Sequence, residues 1–209
     1  MTSDQNNSRT SIVEPKQQRA KATYQALLTA AQEILATEGL YALNSNAVVT
    51  AADATPPTFY RYFKNKQQLL HVLGQRLMAV QNQELEAATA DVRHDDYFGQ
   101  ILATLQATYE VTVRFRGAHA LLLALRTTSE LQHIRLESHN AMAAASAPAI
   151  AAARPTLSDD EVFRRARLGV ELGYAAIEML LELPKLDAAR ILHATANGTL
   201  AMYLADDQR

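Results

Sequence analysis

Apolar residues in this sequence recur at three- and four-residue steps almost from end to end, and no run of alternating β-branched residues interrupts them. That period is the signature of amphipathic helices, each with one face turned to a core. Ala26, Leu27, Ala30, Ala31, Ile34 and Leu35 mark one such face in a helix from about Ala20, and Gly39 is placed to end it. Asn44 or Ser45 can cap a short helix carrying Val48, Val49 and Ala52. Asn65 followed three residues later by Gln68 opens a longer one through Leu69, Leu70, Leu73, Leu77 and Val80. Asp95 or Asp96 starts a helix through Ile101, Leu105 and Tyr109, and a short apolar piece over 121–125 follows Gly117. Ser129 reads as the cap of a helix towards Ala147, with a kink or stop at Pro148. Ser158 with Glu161 opens a helix to about Glu182, Pro184 punctuates, and a last helix reaches about Leu204. The fold class expected is all-α.

The chain has 209 residues, 48% of them hydrophobic, which supplies a core for one or two ordinary domains. Cysteine is absent, which excludes disulfides, thiolate metal sites and a cysteine nucleophile. The opening MTSDQNNSRTSIVEPKQQ lacks the apolar centre of a signal peptide, and AMAAASAPAIAAA is too short to span a bilayer. A soluble, cytoplasmic protein with no membrane partner is expected. The net charge of −2 argues weakly against a nucleic-acid partner, but its distribution does not. Residues 1–76 hold eight Lys/Arg against five Asp/Glu, whereas the remaining 133 hold twelve against seventeen. A basic N-terminal part on an acidic body suggests two tasks in one chain.

The stretch DATPPTFYRYFKNK, residues 53–66, places two prolines inside this helical pattern. The first N–H groups of a helix have no internal partner, so proline costs little there. With Thr55 as N-cap, Pro56 and Pro57 begin a helix of about two turns. Phe59 and Phe63 stand four apart and anchor it inward, while Thr58, Arg61 and Tyr62 point outward and Tyr60 lies between the faces. Joined to the helix 45–52 by the turn 53–55, this is a helix-turn-helix that presents a hydroxyl, phenols and a guanidinium. Those groups suit phosphates and base edges in a major groove. From spacing alone Arg61 is equally a solvated face.

ALLTAAQEIL, the segment 44–55 and TFYRYFKNKQQLL, in that order and spacing, resemble the DNA-binding domain of the TetR family of transcriptional repressors. The resemblance covers roughly 20–73 and is most specific over 58–66. It implies an all-α homodimer with an N-terminal three-helix DNA-binding domain and a C-terminal helical domain for ligand binding and dimerisation. The organisation expected is a disordered tail over 1–15, a helix-turn-helix domain over 16–66 and a helical domain over 67–209. It also implies that Asn44 and Ser45 begin the bracing helix near phosphates, and that Thr58, Tyr62 and Lys66 contact the DNA backbone. Pro56, Pro57 and Arg61 would face base edges, with Thr55 and Tyr60 beside them. The turn glycine common in the family is Asp53 here, which tolerates positive φ better than most residues. Tyr24 stands where a basic residue is frequent, so basic duty falls to Lys16, Arg19 and Lys21.

In the second half, Gly169 and Gly173 lie four apart in a helix interior, where glycine costs roughly 1 kcal/mol. They point to close backbone approach, either within one subunit or in a four-helix dimer interface. With Ala166, Ala176, Ala194, Gly198 and Ala201 they are the interface candidates that the resemblance favours. The helices over about 95–157 should enclose a small-molecule effector, with Phe98, Tyr109, Phe115, His119, His139, Met142 and Tyr174 as lining candidates. Nothing calls for a cofactor or metal: no HExxH occurs, Glu130 and His133 form a lone Glu-x-x-His, and there is no phosphate-binding glycine loop or nucleophile elbow. The expected function is a ligand-responsive repressor released from a palindromic double-stranded operator. The alternative is a helical small-molecule- or metal-processing enzyme with a vestigial helix-turn-helix.

Overall fold

The computed structural model describes residues 15–89, 92–93 and 95–206, so the tail expected over 1–15 lies, apart from Pro15, outside them. The described residues form nine helices and no strand: α1 Gln18–Thr37, α2 Ser45–Ala51, α3 Pro56–Tyr62, α4 Lys66–Thr89, α5 Tyr97–Arg114, α6 Ala118–Thr127, α7 Gln132–Ala153, α8 Asp159–Glu182 and α9 Ala188–Leu204. None is long and apolar enough to cross a membrane.

Local chemistry sets most of the boundaries. Gly39 at φ +81° turns the chain after α1, its N–H reaching back to the Ile34 carbonyl at 3.0 Å. The Asn44 side chain accepts from the Ala47 N–H at 3.0 Å and so caps α2. Asn65 accepts from the Gln68 N–H at 2.9 Å, while the Gln68 side chain accepts from the Lys64 N–H, which opens α4. Asp96, Ser158 and Asp187 cap α5, α8 and α9 in the same way.

Two expectations fail. Ser129 does not cap a helix: its hydroxyl donates to the Glu130 carboxylate at 2.9 Å, and α7 begins at Gln132. The stop or kink expected at Pro148 does not occur, because α7 continues through it to Ala153. Pro148 and Ala144, whose carbonyl loses its helical donor, both lie on the exposed side of α7. Water can take over the bond there, which removes much of the cost of the proline.

Helices α1 to α3 form a small N-terminal unit around Leu27, Leu28, Val48, Val49, Phe59 and Phe63. Ala26, expected on the inner face of α1, lies outside. Helix α4 leaves this unit and packs along α5 and α7, α7 lies along α8, and α9 closes over α5 and α8. Helix α6 is wedged against both α1 and α4. One apolar core therefore runs unbroken from Tyr24 in α1 to Tyr174 in α8. A second cluster of Leu105, Ile177, Leu180, Leu192 and Ala196 joins α5, α8 and α9. The Arg116 guanidinium also grips Glu33 of α1 through two bonds of 2.8 and 2.7 Å, holding that carboxyl below its usual range.

Candidate nucleic-acid interface and internal cavity

Helix α3 starts at its prolines. Thr55 is extended, with φ −114° and ψ 154°, and Pro56 and Pro57 take the first two helical positions, where the N–H groups of Thr58 and Phe59 then reach the Thr55 carbonyl. The Thr55 hydroxyl pairs with that of Thr58 at 2.9 Å and caps nothing. Asp53 holds the turn before it at φ 48°. Phe59 and Phe63 are fully buried, and Phe63 stacks on Tyr24 with ring centroids 5.3 Å apart. Tyr24 is therefore a core residue that seats α3 on α1.

The outer side of α3 carries Pro56, Pro57, Tyr60 and Arg61, all exposed. Tyr60 is 57% exposed, yet its hydroxyl lies 3.2 Å from that of Ser45 and braces α3 against α2. Arg61 stands with its guanidinium 5.8 Å from the Tyr62 ring centre. Thr58 is half-buried beside them, and Lys21 is exposed on α1.

Two residues expected at the DNA backbone also pack within the protein. Tyr62 is half-buried, its hydroxyl donating to the Ala20 carbonyl at 3.3 Å and its ring lying edge-on to Tyr24. The Lys66 ammonium, in the first turn of α4, donates to the Leu40 carbonyl at 3.0 Å and is half-buried. Both serve the packing of the N-terminal unit first. Tyr41 is fully exposed in the loop before α2. No periodic signal marks a lone tyrosine in a loop, so sequence reading passes over it.

A cavity of about 200 Å³ lies inside the body between α5, α7, α8 and α9, with Leu85 of α4 at its edge. Of the seven lining candidates, Met142 and Tyr174 line it. Phe98 and Tyr109 pack instead on the cluster between α5, α8 and α9, where Phe98 meets the edge of His193. Phe115 and His119 border a separate depression near Leu35 and Gly39, and His119 lies 3.8 Å from Glu182. His139 is wholly buried behind the cavity, stacked on Tyr174 at 4.0 Å. Its Nδ1 lies 3.0 Å from the Glu171 carboxylate, and burial lowers its pKa to about 4, so it is a neutral imidazole donating to Glu171. Burial alone would raise the Glu171 pKa, but hydrogen bonds from Arg167 and His139 bring it down to about 2. The lining that sequence reading missed comes from one face of α5 (Tyr97, Ile101, Thr104, Thr108) and from Thr199 and Tyr203 of α9. The three- and four-residue steps on α5 were visible in the sequence, but not what they face.

The small residues of α8 are also turned inward. Ala166, Gly169, Gly173 and Ala176 are buried in this chain. A Cβ on Gly169 would stand 2.0 Å from the Tyr203 hydroxyl, and one on Gly173 would stand 2.8 Å from Leu105 Cδ2. Their close approach is thus made by this chain's own side chains. Ala194, Gly198 and Ala201 of α9 are exposed, and a Cβ on Gly198 would meet nothing. The outward side of α8 presents Leu168, Leu172 and Ala175, and Leu183 is exposed just after its end. Among the described residues no three His, Asp or Glu come together as a metal site.

A family model described as bacterial regulatory proteins, tetR family, matches residues 27–73. No curated protein matches the sequence. Among solved structures, the fold is similar to that of the fatty acid degradation regulator FadR from Bacillus halodurans, at 13% identity and a TM-score of 0.70 over 90% of this chain and 97% of that one. It is similar to SmeT in its complex with triclosan, at 20% identity and a TM-score of 0.67 over 89% and 93%. A tetR-family transcriptional regulator from Streptomyces coelicolor gives 13% identity and a TM-score of 0.66 over 86% and 79%.

Proposed function

We propose that this chain, residues 27–73 of which match the tetR family model, is a TetR-family DNA-binding regulator: a cytoplasmic homodimeric repressor, released from a palindromic operator by a small molecule. The observation that carries the reading is α3 itself: Phe59 and Phe63 hold it down, and Tyr60 and Arg61 are left on the outer side of the N-terminal unit. Arg61 would reach base edges, with Pro56 and Pro57 beside it. Thr58, Tyr60, Ser45 at the start of α2, Lys21 and Lys66 would meet phosphates. Asn44 would place the α2 N-terminus, and Thr55 the turn into α3. Residues 16–66 form the DNA-binding domain of this reading and 67–209 the effector and dimer domain.

The dimer would form through the outward side of α8, at Leu168, Leu172 and Ala175, together with Ala194, Gly198 and Ala201 of α9. Exposed leucines in a row on a helix favour such a contact. A two-fold dimer sets its recognition helices about 34–36 Å apart, or a multiple, and so reads a palindrome. The internal cavity would hold the effector, which shifts the dimer off DNA only by binding the DNA-incompetent form more tightly. Selection of bound sequences from random DNA tests the reading. The expected product is a two-fold symmetric site with half-sites one helical turn apart or a multiple; selection that enriches no sequence ends it.

A further inference from the structure

The described residues that line the cavity include no Asp, Glu, Lys, Arg or His. The nearby charge at Glu171 sits behind Tyr174 with its Oε1 already 2.8 Å from Arg135, 2.7 Å from Arg167 and 3.0 Å from His139. Among the described lining residues no charged group is left to meet a charged ligand, and an unpaired ion in such a space is strongly disfavoured. The phenols of Tyr203 and Tyr174 stay neutral as well: burial pushes the Tyr203 pKa up to about 12 and raises that of Tyr174 further.

The hydroxyl groups narrow the choice. Thr108 donates its proton to the Thr104 carbonyl at 2.8 Å, Ser146 to Met142 at 3.1 Å, and Tyr174 to Gln81 at 2.9 Å. These three offer a ligand only lone pairs. Thr199 differs. It is 3% exposed, lines the cavity, and its hydroxyl has no hydrogen-bond partner. Thr195, one turn earlier on α9, bonds back to the Ile191 carbonyl at 2.9 Å as helical threonines commonly do. A buried hydroxyl without a partner is costly, and a ligand oxygen would relieve it. Apolar walls from Ile101, Met142 and Val170 would cover the rest of the ligand.

We propose that the cavity takes an uncharged, mainly apolar molecule of one or two rings bearing a hydroxyl that pairs with Thr199, and rejects carboxylates and ammonium ions. The proposal rests on the reading of this cavity as the effector site.

Titration calorimetry and thermal denaturation of the full chain with four probes test it: naphthalen-2-ol, naphthalene, naphthalene-2-carboxylate and naphthalen-2-ylmethylammonium. The naphthol should bind most tightly, with the two ions weaker by roughly 100-fold or more. Thr199→Val should weaken the naphthol about fivefold and leave naphthalene unchanged. Thr199→Ser, which keeps the hydroxyl, should retain the preference and serves if the valine variant does not fold. An ion that binds within about tenfold of the naphthol, a valine variant with unaltered naphthol affinity, or no binding by any of the four overturns the proposal. Parallel DNA-release assays separate the two readings. A naphthol that binds without releasing DNA overturns release and leaves the ligand class; an ion that binds and releases DNA does the reverse.

Discussion

The Tyr174 hydroxyl donates to the Gln81 side-chain oxygen at 2.9 Å, and the Gln81 amide passes the chain on to Thr112 at 2.7 Å. This buried relay ties the cavity wall on α8 to α4, the helix whose first turn adjoins α3, and to α5. Gln81 is 1% exposed. Tyr174→Phe would leave its oxygen without a donor, at a cost of about 1–3 kcal/mol. Urea denaturation at neutral pH reads this directly; an unchanged midpoint would mean that the bond contributes nothing net.

Arg61 and Lys66 make different demands on DNA binding. Arg61→Ala should relax sequence preference by about 1–3 kcal/mol at one base pair if the guanidinium reads a guanine. Lys66→Ala should weaken binding to all sequences and lower the salt slope by about one. Binding isotherms over a range of salt distinguish the cases. A slope that does not change would assign Lys66 wholly to the Leu40 carbonyl it meets at 3.0 Å.

His139 makes stability depend on pH. Burial lowers its pKa from 6.5 to about 4 in the folded chain. Between these values the unfolded chain binds the extra proton, so stability is full above pH 6.5 and is lost as pH falls towards 4. Glu171, held at about 2, adds a loss in the same direction below pH 4.5. From pH 7 to pH 5 the His139 part amounts to about 2 kcal/mol. Denaturation midpoints for wild type and His139→Gln check it: the variant should lose that part of the slope, and parallel slopes would refute the assignment.

Leu168 and Leu172 stand 50% and 40% exposed on the outer side of α8. Leu172→Glu should convert a dimer to monomers in sedimentation velocity while leaving helix content unchanged, since the side chain has little core to disturb. A dimer that persists would move the interface off this face.

Most of the helix boundaries were legible in the sequence because their causes are local. A capping Asn44, Asp96 or Ser158 acts on an N–H three residues away. Pro56 and Pro57 start α3 by lacking donors where none are needed, and Asp53 takes the positive φ of the turn. The inward pair Phe59 and Phe63 follows from a spacing of four. Pro148 escaped because its effect depends on which side of α7 faces water, a matter of packing.

The candidate sites were legible as types of residue and much less as places. Periodicity shows that a face is buried but not against what. Gly169 and Gly173 could serve a partner subunit or Tyr203 and Leu105 of the same chain, and only the crossing of α8 with α9 and α5 decides for the latter. Tyr62 and Lys66 look alike in sequence to Tyr60 and Arg61, yet they reach carbonyls 42 and 26 residues away. The sequence by itself determined nine helical segments' worth of local preference, the prolines at the head of α3 and its two anchors, since each depends on neighbours within a turn. The tertiary structure alone decided which side chains enclose the cavity, that the buried Thr199 hydroxyl lacks a partner and which face of α8 stays open, because those depend on residues brought together from distant helices.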